Sequence, residues 1–241
     1  MTGRTAWLPR PPSPTAAGRV FCIPYAGCGA GLFRNWPREQ DSIEFLPVEL
    51  PGRETRLAEP VPKTFQDMAS AMIEALLPYM DVPFAFFGHC WSALPAYEAT
   101  AQLHREGMPM PVRLFVSSQV APQDGPVGRM LGMNDAEMAE ELETTIRALG
   151  GQPHPALIEI YVSVLRADVD VSRQYIVPDP LRLSCPITAI GWTDDAEVGF
   201  GQMTGWADVG DTTFELFNGR HHRFIDAPPE LLKTLSSGMR S

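Results

Sequence analysis

Apolar and polar positions in this chain fall into two alternating patterns. Short, largely apolar runs recur at Arg19–Pro24, Phe45–Leu50, Pro83–Phe87, Val112–Ser118, Cys185–Gly191 and Thr212–Phe217. Runs of that length without a regular polar face predict strands covered on both sides. Between them the period changes. From Phe65 to Tyr79 the apolar residues Phe65, Met68, Ala69, Met72, Ile73 and Leu76 share one helical face. Trp91–Arg105 and Glu230–Leu235 predict further helices. Strands alternating with helices imply an α/β fold, a mostly parallel central sheet with helices on both faces.

The segment of about 122–180 breaks this rhythm. It holds one helix, started by a capping-box pair at Asn134 and Glu137 and stopped at Gly150-Gly151, and a second from about Pro155 to Asp168. Inserted between two sheet strands, it reads as a helical lid over the carboxyl edge, where α/β enzymes bind ligands. Met130, Met133 and Met138 either line an acyl pocket there or pack the lid down. Residues 1–18, proline-rich at their start, read as a loose arm, and 19–241 as one domain.

Within that frame the stretch Phe86-Phe87-Gly88-His89-Cys90-Trp91-Ser92-Ala93 carries the chemistry. It has the form small-x-nucleophile-x-small between a buried strand and a helix, the nucleophile elbow of an α/β-hydrolase, with cysteine where serine is usual. The turn is so tight that only small neighbours, Gly88 and Ser92, fit beside the nucleophile. Its tip lies at a helix N-terminus, whose partial positive charge favours a thiolate. A thiol there needs a base, and the base an orienting acid, in the chain order nucleophile, acid, histidine. The acid falls in Trp192-Thr193-Asp194-Asp195, after a strand; it is assigned to Asp194, with Asp195 the alternative. Of the five histidines, His221 and His222 follow the last strand and are the only good bases, His221 preferred. His89 fits a local hydrogen bond better. The oxyanion of an acyl-transfer intermediate needs preorganised backbone donors, expected from Trp91 and from Ala26 in the glycine-rich turn after the first strand.

Composition narrows the partners. The chain has 241 residues and a formal net charge of −10, which argues against nucleic acid. Its opening lacks the apolar core of a signal peptide, and no apolar run reaches membrane-spanning length, so a cytoplasmic setting is expected. The four cysteines, Cys22, Cys28, Cys90 and Cys185, form no CxxC pair and no metal-ligand spacing, so no metal is expected. Cys28 lies in the loop that faces the nucleophile, where a redox link to Cys90 is an alternative to simple packing.

Pro24-Tyr25-Ala26-Gly27, Leu50-Pro51-Gly52-Arg53, Gly88-His89-Cys90, Ala121-Pro122, Arg166-Ala167-Asp168, Cys185-Pro186-Ile187 and Trp206 occur in the order seen in type II thioesterases. These are the stand-alone editing enzymes of polyketide and non-ribosomal peptide biosynthesis, and the chain resembles them from about Arg19 onward. The resemblance implies hydrolysis of acyl groups from the phosphopantetheine thiol of an acyl or peptidyl carrier protein. It implies the triad Cys90, Asp194, His221, and no cofactor beyond the phosphopantetheine on the partner. Two motifs depart from the family. Its usual GHSMGA is Gly88-His89-Cys90-Trp91-Ser92-Ala93 here, and its usual GGHFF is Gly219-Arg220-His221-His222-Arg223.

Cysteine changes the energetics. Transfer from a carrier thioester to Cys90 gives another thioester, so acylation is nearly isoenergetic and the acyl group stays activated toward amines. An acyltransferase or cyclase is therefore the alternative to a hydrolase, and a non-catalytic acyl-binding protein on the same scaffold is a third reading. Docking an acidic carrier onto an acidic chain requires a basic patch, for which Arg53, Arg56, Arg220 and Arg223 are the candidates.

Overall fold

The computed structural model describes residues 5–148 and 151–240. The elements, in chain order, are β1 (Gly18–Ile23), β2 (Glu39–Gln40), β3 (Ile43–Pro47), α1 (Phe65–Leu76), β4 (Phe84–His89), α2 (Ala93–Arg105), β5 (Arg113–Ser117), α3 (Asp135–Ala148), α4 (Pro155–Gln174), β6 (Ile187–Asp194), α5 (Trp206–Val209), β7 (Thr212–Arg220) and α6 (Pro229–Gly238). The sheet order is β2-β3-β1-β4-β5-β6-β7, and every pairing is parallel except β2 with β3. This order, parallel apart from one edge strand and interleaved with helices, is the expected α/β-hydrolase arrangement. The expected strands all appear; β2, two residues long, has too short a pattern to predict.

Burial explains the strand sequences. Every residue of β1, β3 and β4 is buried, which is why these strands read as continuous apolar runs. Edge strand β7 instead alternates between half-buried and exposed positions. Phe21 of β1 lies between Leu46 of β3 and Phe86 of β4. The chain thus passes from β1 to one side and then crosses back to the other, creating a switch point. The loops after β1 and β4, with Ala26 and Cys90, leave the sheet side by side there. Helix α1 starts where Thr64 Oγ1 accepts the Asp67 amide at 3.0 Å and buries Phe65, Met68, Ala69, Met72, Ile73 and Leu76, the stripe read from the sequence.

Residues 5–17 are not loose. Trp7 and Leu8 are buried in the core, the Glu49 amide donates to Trp7 O at 2.8 Å, and Arg10 bonds Phe45 O. Burying a side chain of this size contributes about 1.5–3 kcal/mol, enough to hold a proline-rich segment that has no regular structure of its own.

The inserted block forms two helices, α3 and α4. Asn134 Oδ1 accepts the Glu137 amide at 3.1 Å while Glu137 Oε2 accepts the Asn134 amide at 2.8 Å, the expected capping box. Of the expected stop, Gly150 lies outside the described residues, and Gly151 N donates to Ile146 O. Helix α4 runs to Gln174, beyond the expected Asp168. It is anchored twice: Asp168 is wholly buried, and Tyr175, just after the helix, donates its hydroxyl to Glu98 of α2 at 2.7 Å. Helix α3 packs on α4, where Arg166 bonds Asp135 and Met133 O.

Candidate active site

The elbow has the geometry its sequence requires. Cys90 follows β4 with φ 53°, a left-handed conformation that a side chain rarely adopts. A Cβ at Gly88 would collide with the Ser92 carbonyl, so glycine is obligatory there. Ser92 is fully buried; its hydroxyl accepts the His89 amide at 2.8 Å and donates to His89 O at 3.0 Å. That closes the turn and removes Ser92 as a rival nucleophile. Cys90 alone at the tip is half-exposed.

Across from it, His221 begins the turn after β7. Its Nδ1 lies 3.0 Å from both carboxylate oxygens of Asp195. Its Nε2 is buried with no hydrogen-bond partner among the described residues, and is the ring nitrogen left to serve the Cys90 sulfur. Burial disfavours the charged imidazole, but Asp195 and the neighbouring Cys90 outweigh it and raise His221 to about 10. Burial likewise opposes the Asp195 carboxylate, and the hydrogen bond from His221 prevails, holding it at about 2.

Asp195, not Asp194, is therefore the histidine's partner. Strand β6 continues three residues past Gly191, and its pairing with β7 is irregular between Trp192 and Asp194. Asp194 remains in the strand with its side chain exposed. The turn closed by Asp195 N on Trp192 O then brings the second carboxylate inward. There Asp195 Oδ1 also accepts the amides of Glu197 at 2.8 Å and Val198 at 3.1 Å.

The other histidines sort as expected. His222 is half-buried beside His221, and burial together with that neighbour lowers it to about 4. His89 is fully buried, hydrogen-bonds Ser117 Oγ at 2.9 Å and stacks on Phe224 at 4.0 Å.

A narrow cleft opens on Cys90, lined among others by Ala26, Trp91, Met130, Leu131, Val169 and Glu197. Ala26 and Trp91 line it together with Cys90. Met130 lines the cleft, whereas Met138 of α3 is wholly buried. Cys28 is a free thiol, pushed up to about 12 by burial, which argues against a ready redox partnership.

Behind the cleft a buried ion pair ties four segments together. Arg53 reaches Asp168 of α4 through two hydrogen bonds of 3.0 and 2.9 Å. Asp168 Oδ2 accepts the Gly27 amide at 2.8 Å, and its backbone carbonyl accepts the Trp91 indole N–H at 2.9 Å. Gly27 has φ 72°, which lets its amide turn toward Asp168. The Asp168 carboxylate thus ties the loops after β1 and β3 to α4, and its backbone carbonyl ties α4 to the residue after Cys90.

Arg53 is therefore not a docking residue. Nor is Arg56, whose guanidinium donates to Glu49 O at 2.7 Å, pairs with Glu59 and lies 4.4 Å over the Trp7 ring. Arg220 and Arg223 are exposed, the latter paired with Asp226.

Glu197 was not singled out in the sequence. Its side chain is 8% exposed, and one of its oxygens, the Cys90 sulfur and a His221 ring nitrogen all lie within 4.8 Å of one another. Among the described residues this trio has the spacing and donor types to hold a borderline divalent ion such as zinc. The only sequence signal was its place two residues after the acid.

The thioesterase domain model matches residues 18–238. Gramicidin S biosynthesis protein GrsT of Aneurinibacillus migulanus is 32% identical over 234 residues, 92% of this chain and 89% of its own length. The RedJ thioesterase from the prodiginine biosynthetic pathway in Streptomyces coelicolor superimposes with a TM-score of 0.76 at 31% identity, covering 98% of this chain and 94% of that one. The type II thioesterase BorB from the borrelidin biosynthetic cluster gives 0.81 at 25% identity, over 99% of this chain and 100% of that one. Among the described residues no helix is long and apolar enough to cross a membrane. The chain belongs to the thioesterase domain family and is an enzyme that acts on thioesters.

Proposed function

We propose that this enzyme releases acyl groups from carrier-protein phosphopantetheine thioesters in polyketide or non-ribosomal peptide biosynthesis, through an acyl-enzyme on Cys90. The observation that carries this reading is the Cys90 sulfur at the wall of a cleft, with a His221 ring nitrogen within 4.8 Å of it and Asp195 3.0 Å from His221 Nδ1. Relatives named for gramicidin S, prodiginine and borrelidin biosynthesis support the setting.

The chain's own groups supply each step. His221 Nε2 takes the Cys90 proton, and Asp195 stabilises the imidazolium that forms. The thiolate adds to the thioester carbonyl, and the oxyanion is received by the amides of Ala26 and Trp91. Collapse expels the phosphopantetheine thiolate, which takes the proton back from His221. The imidazole then removes a proton from water as it attacks the acyl-Cys90 thioester, and collapse returns Cys90 and a free carboxylic acid. No cofactor is needed, because the partner carries the phosphopantetheine. Of the basic residues, Arg220 and Arg223 remain as a docking surface for an acidic carrier.

The sulfur at position 90 also favours a second outcome, transfer to an amine or to a nucleophile within the acyl chain, because the intermediate is itself an activated thioester. Intact-protein mass spectrometry with an acyl-carrier thioester separates the two. An acyl adduct on the wild type, absent from Cys90→Ala and discharged to free acid in water, is expected. An adduct that persists in water and leaves only on addition of an amine assigns the transferase. No adduct and no loss of thioester overturns the catalytic reading.

A further inference from the structure

Glu197 lies against the nucleophile, and none of the steps above uses it. Its side chain is more than nine-tenths buried, and among the described residues its one ion pair, with Arg129, is at 3.6 Å. No hydrogen bond reaches its oxygens from any described residue, whereas buried carboxylates normally gather several. Arg129 is itself committed to Glu141, through two bonds of 2.9 and 2.6 Å. Two carboxylates therefore share one guanidinium. His222 adds no compensating charge at neutral pH, since burial and His221 lower it to about 4. The mouth of the cleft beside Cys90 carries surplus negative charge, held in a pocket wall rather than on an exposed loop.

We infer that Glu197 is a specificity-determining residue that binds an ammonium group on the carbon next to the thioester carbonyl, so that the enzyme prefers aminoacyl over plain acyl thioesters. The inference rests on Cys90 being the acylated residue. In an acyl-Cys90 intermediate the sulfur, carbonyl carbon, Cα and amine nitrogen follow one another by single bonds, which places the nitrogen about 3–4 Å from the sulfur. A Glu197 oxygen lies within 4.8 Å of the same sulfur. An ammonium in that position can donate a charge-assisted hydrogen bond of ordinary length to it. The interaction gives the carboxylate a direct hydrogen bond in addition to the Arg129 guanidinium that it shares with Glu141. A propionyl group, with a hydrogen in place of the ammonium of an alanyl group, leaves that hydrogen bond unmade, and a site built to hydrogen-bond one substrate group discriminates strongly against the analogue that lacks it.

The test is a comparison of kcat/KM for alanyl and propionyl thioesters of N-acetylcysteamine, which differ in the α-substituent. The wild type is expected to favour the alanyl substrate by about tenfold or more. In Glu197→Gln that ratio is expected to fall to near one or to invert. Because the readout is a ratio within each variant, a general loss of activity in Glu197→Gln affects both substrates and cancels. Equal use of the two substrates by the wild type, or a preference unchanged in Glu197→Gln, overturns the inference while leaving the Cys90 chemistry in place. Turnover of both substrates by Cys90→Ala overturns the nucleophile assignment and this inference with it. Loss of both activities on chelation, with recovery on adding zinc, makes Glu197 a metal ligand and also overturns it.

Discussion

Two buried ionic pairs, His221–Asp195 and Arg53–Asp168, are built for opposite purposes. Asp195 holds a histidine, a base whose second ring nitrogen has no hydrogen-bond partner among the described residues. Asp168 holds an arginine through two hydrogen bonds and takes a backbone amide as well, leaving little of either group unsatisfied. The first pair keeps one valence open for a proton to move. The second closes its valences and fixes distances. Burial alone distinguishes nothing here; the partner's ability to titrate and the presence of an unused donor do.

The comparison breaks most visibly in activity. Asp195→Asn leaves the side-chain shape but removes the charge that orients and stabilises the imidazolium, so kcat is expected to fall by about 10³–10⁴-fold. Asp194→Asn, at the exposed neighbour, is expected to stay close to wild type in the same assay. Equal losses from the two would break the assignment of Asp195.

Stability should respond in the reverse order. Asp168→Ala leaves Arg53 buried and uncompensated, at a cost of about 3–5 kcal/mol, or a fall in melting temperature of about 6–20 °C for a chain of this size. Thermal unfolding of Asp168→Ala beside Asp195→Asn reads this directly, and a larger fall for Asp195→Asn would reverse the roles given to the two pairs.

A smaller effect appears in pH dependence. His221 is raised to about 10 in the fold, against about 6.5 in an unfolded chain. Its contribution to stability is complete below about pH 6.5 and is lost as pH rises through about 10. Asp195, lowered to about 2, contributes above its unfolded value of about 3.9 and loses that contribution as pH falls through about 2. A guanidinium keeps its proton across the alkaline range, so the arginine pair gives no such step. The difference in melting temperature between wild type and His221→Gln, followed from pH 6 to 10.5, should shrink toward the alkaline end. A constant difference would detach the stability of the fold from the His221 proton.

The smallest expected effect lies at the surface. Arg220→Glu together with Arg223→Glu should raise KM for an acyl-carrier protein a few-fold and leave small thioesters unaffected, because exposed charges act mainly on encounter. An unchanged KM removes these residues from docking.

Much of this was legible in the sequence because the fold repeats simple patterns. The continuous apolar runs of β1 and β4 specify strands covered on both faces, and Gly88 and Ser92 beside Cys90 specify the tight turn. What escaped was set by tertiary geometry. Asp194 and Asp195 are adjacent and chemically identical; only an irregular β6 running past Gly191 decides which faces His221. Arg53 and Arg56 looked like surface cations because arginine usually is one, and the carboxylate that buries Arg53 lies 115 positions along the chain. Trp7 was hidden among prolines, in a segment with no periodicity to reveal that it packs. Glu197 carried no pattern at all, since its meaning depends on a sulfur more than a hundred residues away.

The clasp around Asp168 also bears on engineering. Lids invite exchange between related enzymes, as detachable covers that set which substrate enters. Here α4 holds the loops after β1 and β3 through the Asp168 carboxylate and the Trp91 indole through the Asp168 backbone carbonyl. A foreign lid grafted without its own aspartate at that point would strand Arg53 and release the Gly27 loop, altering catalysis as well as access. The transferable unit in this enzyme is the lid helix together with Gly27, Arg53 and Trp91.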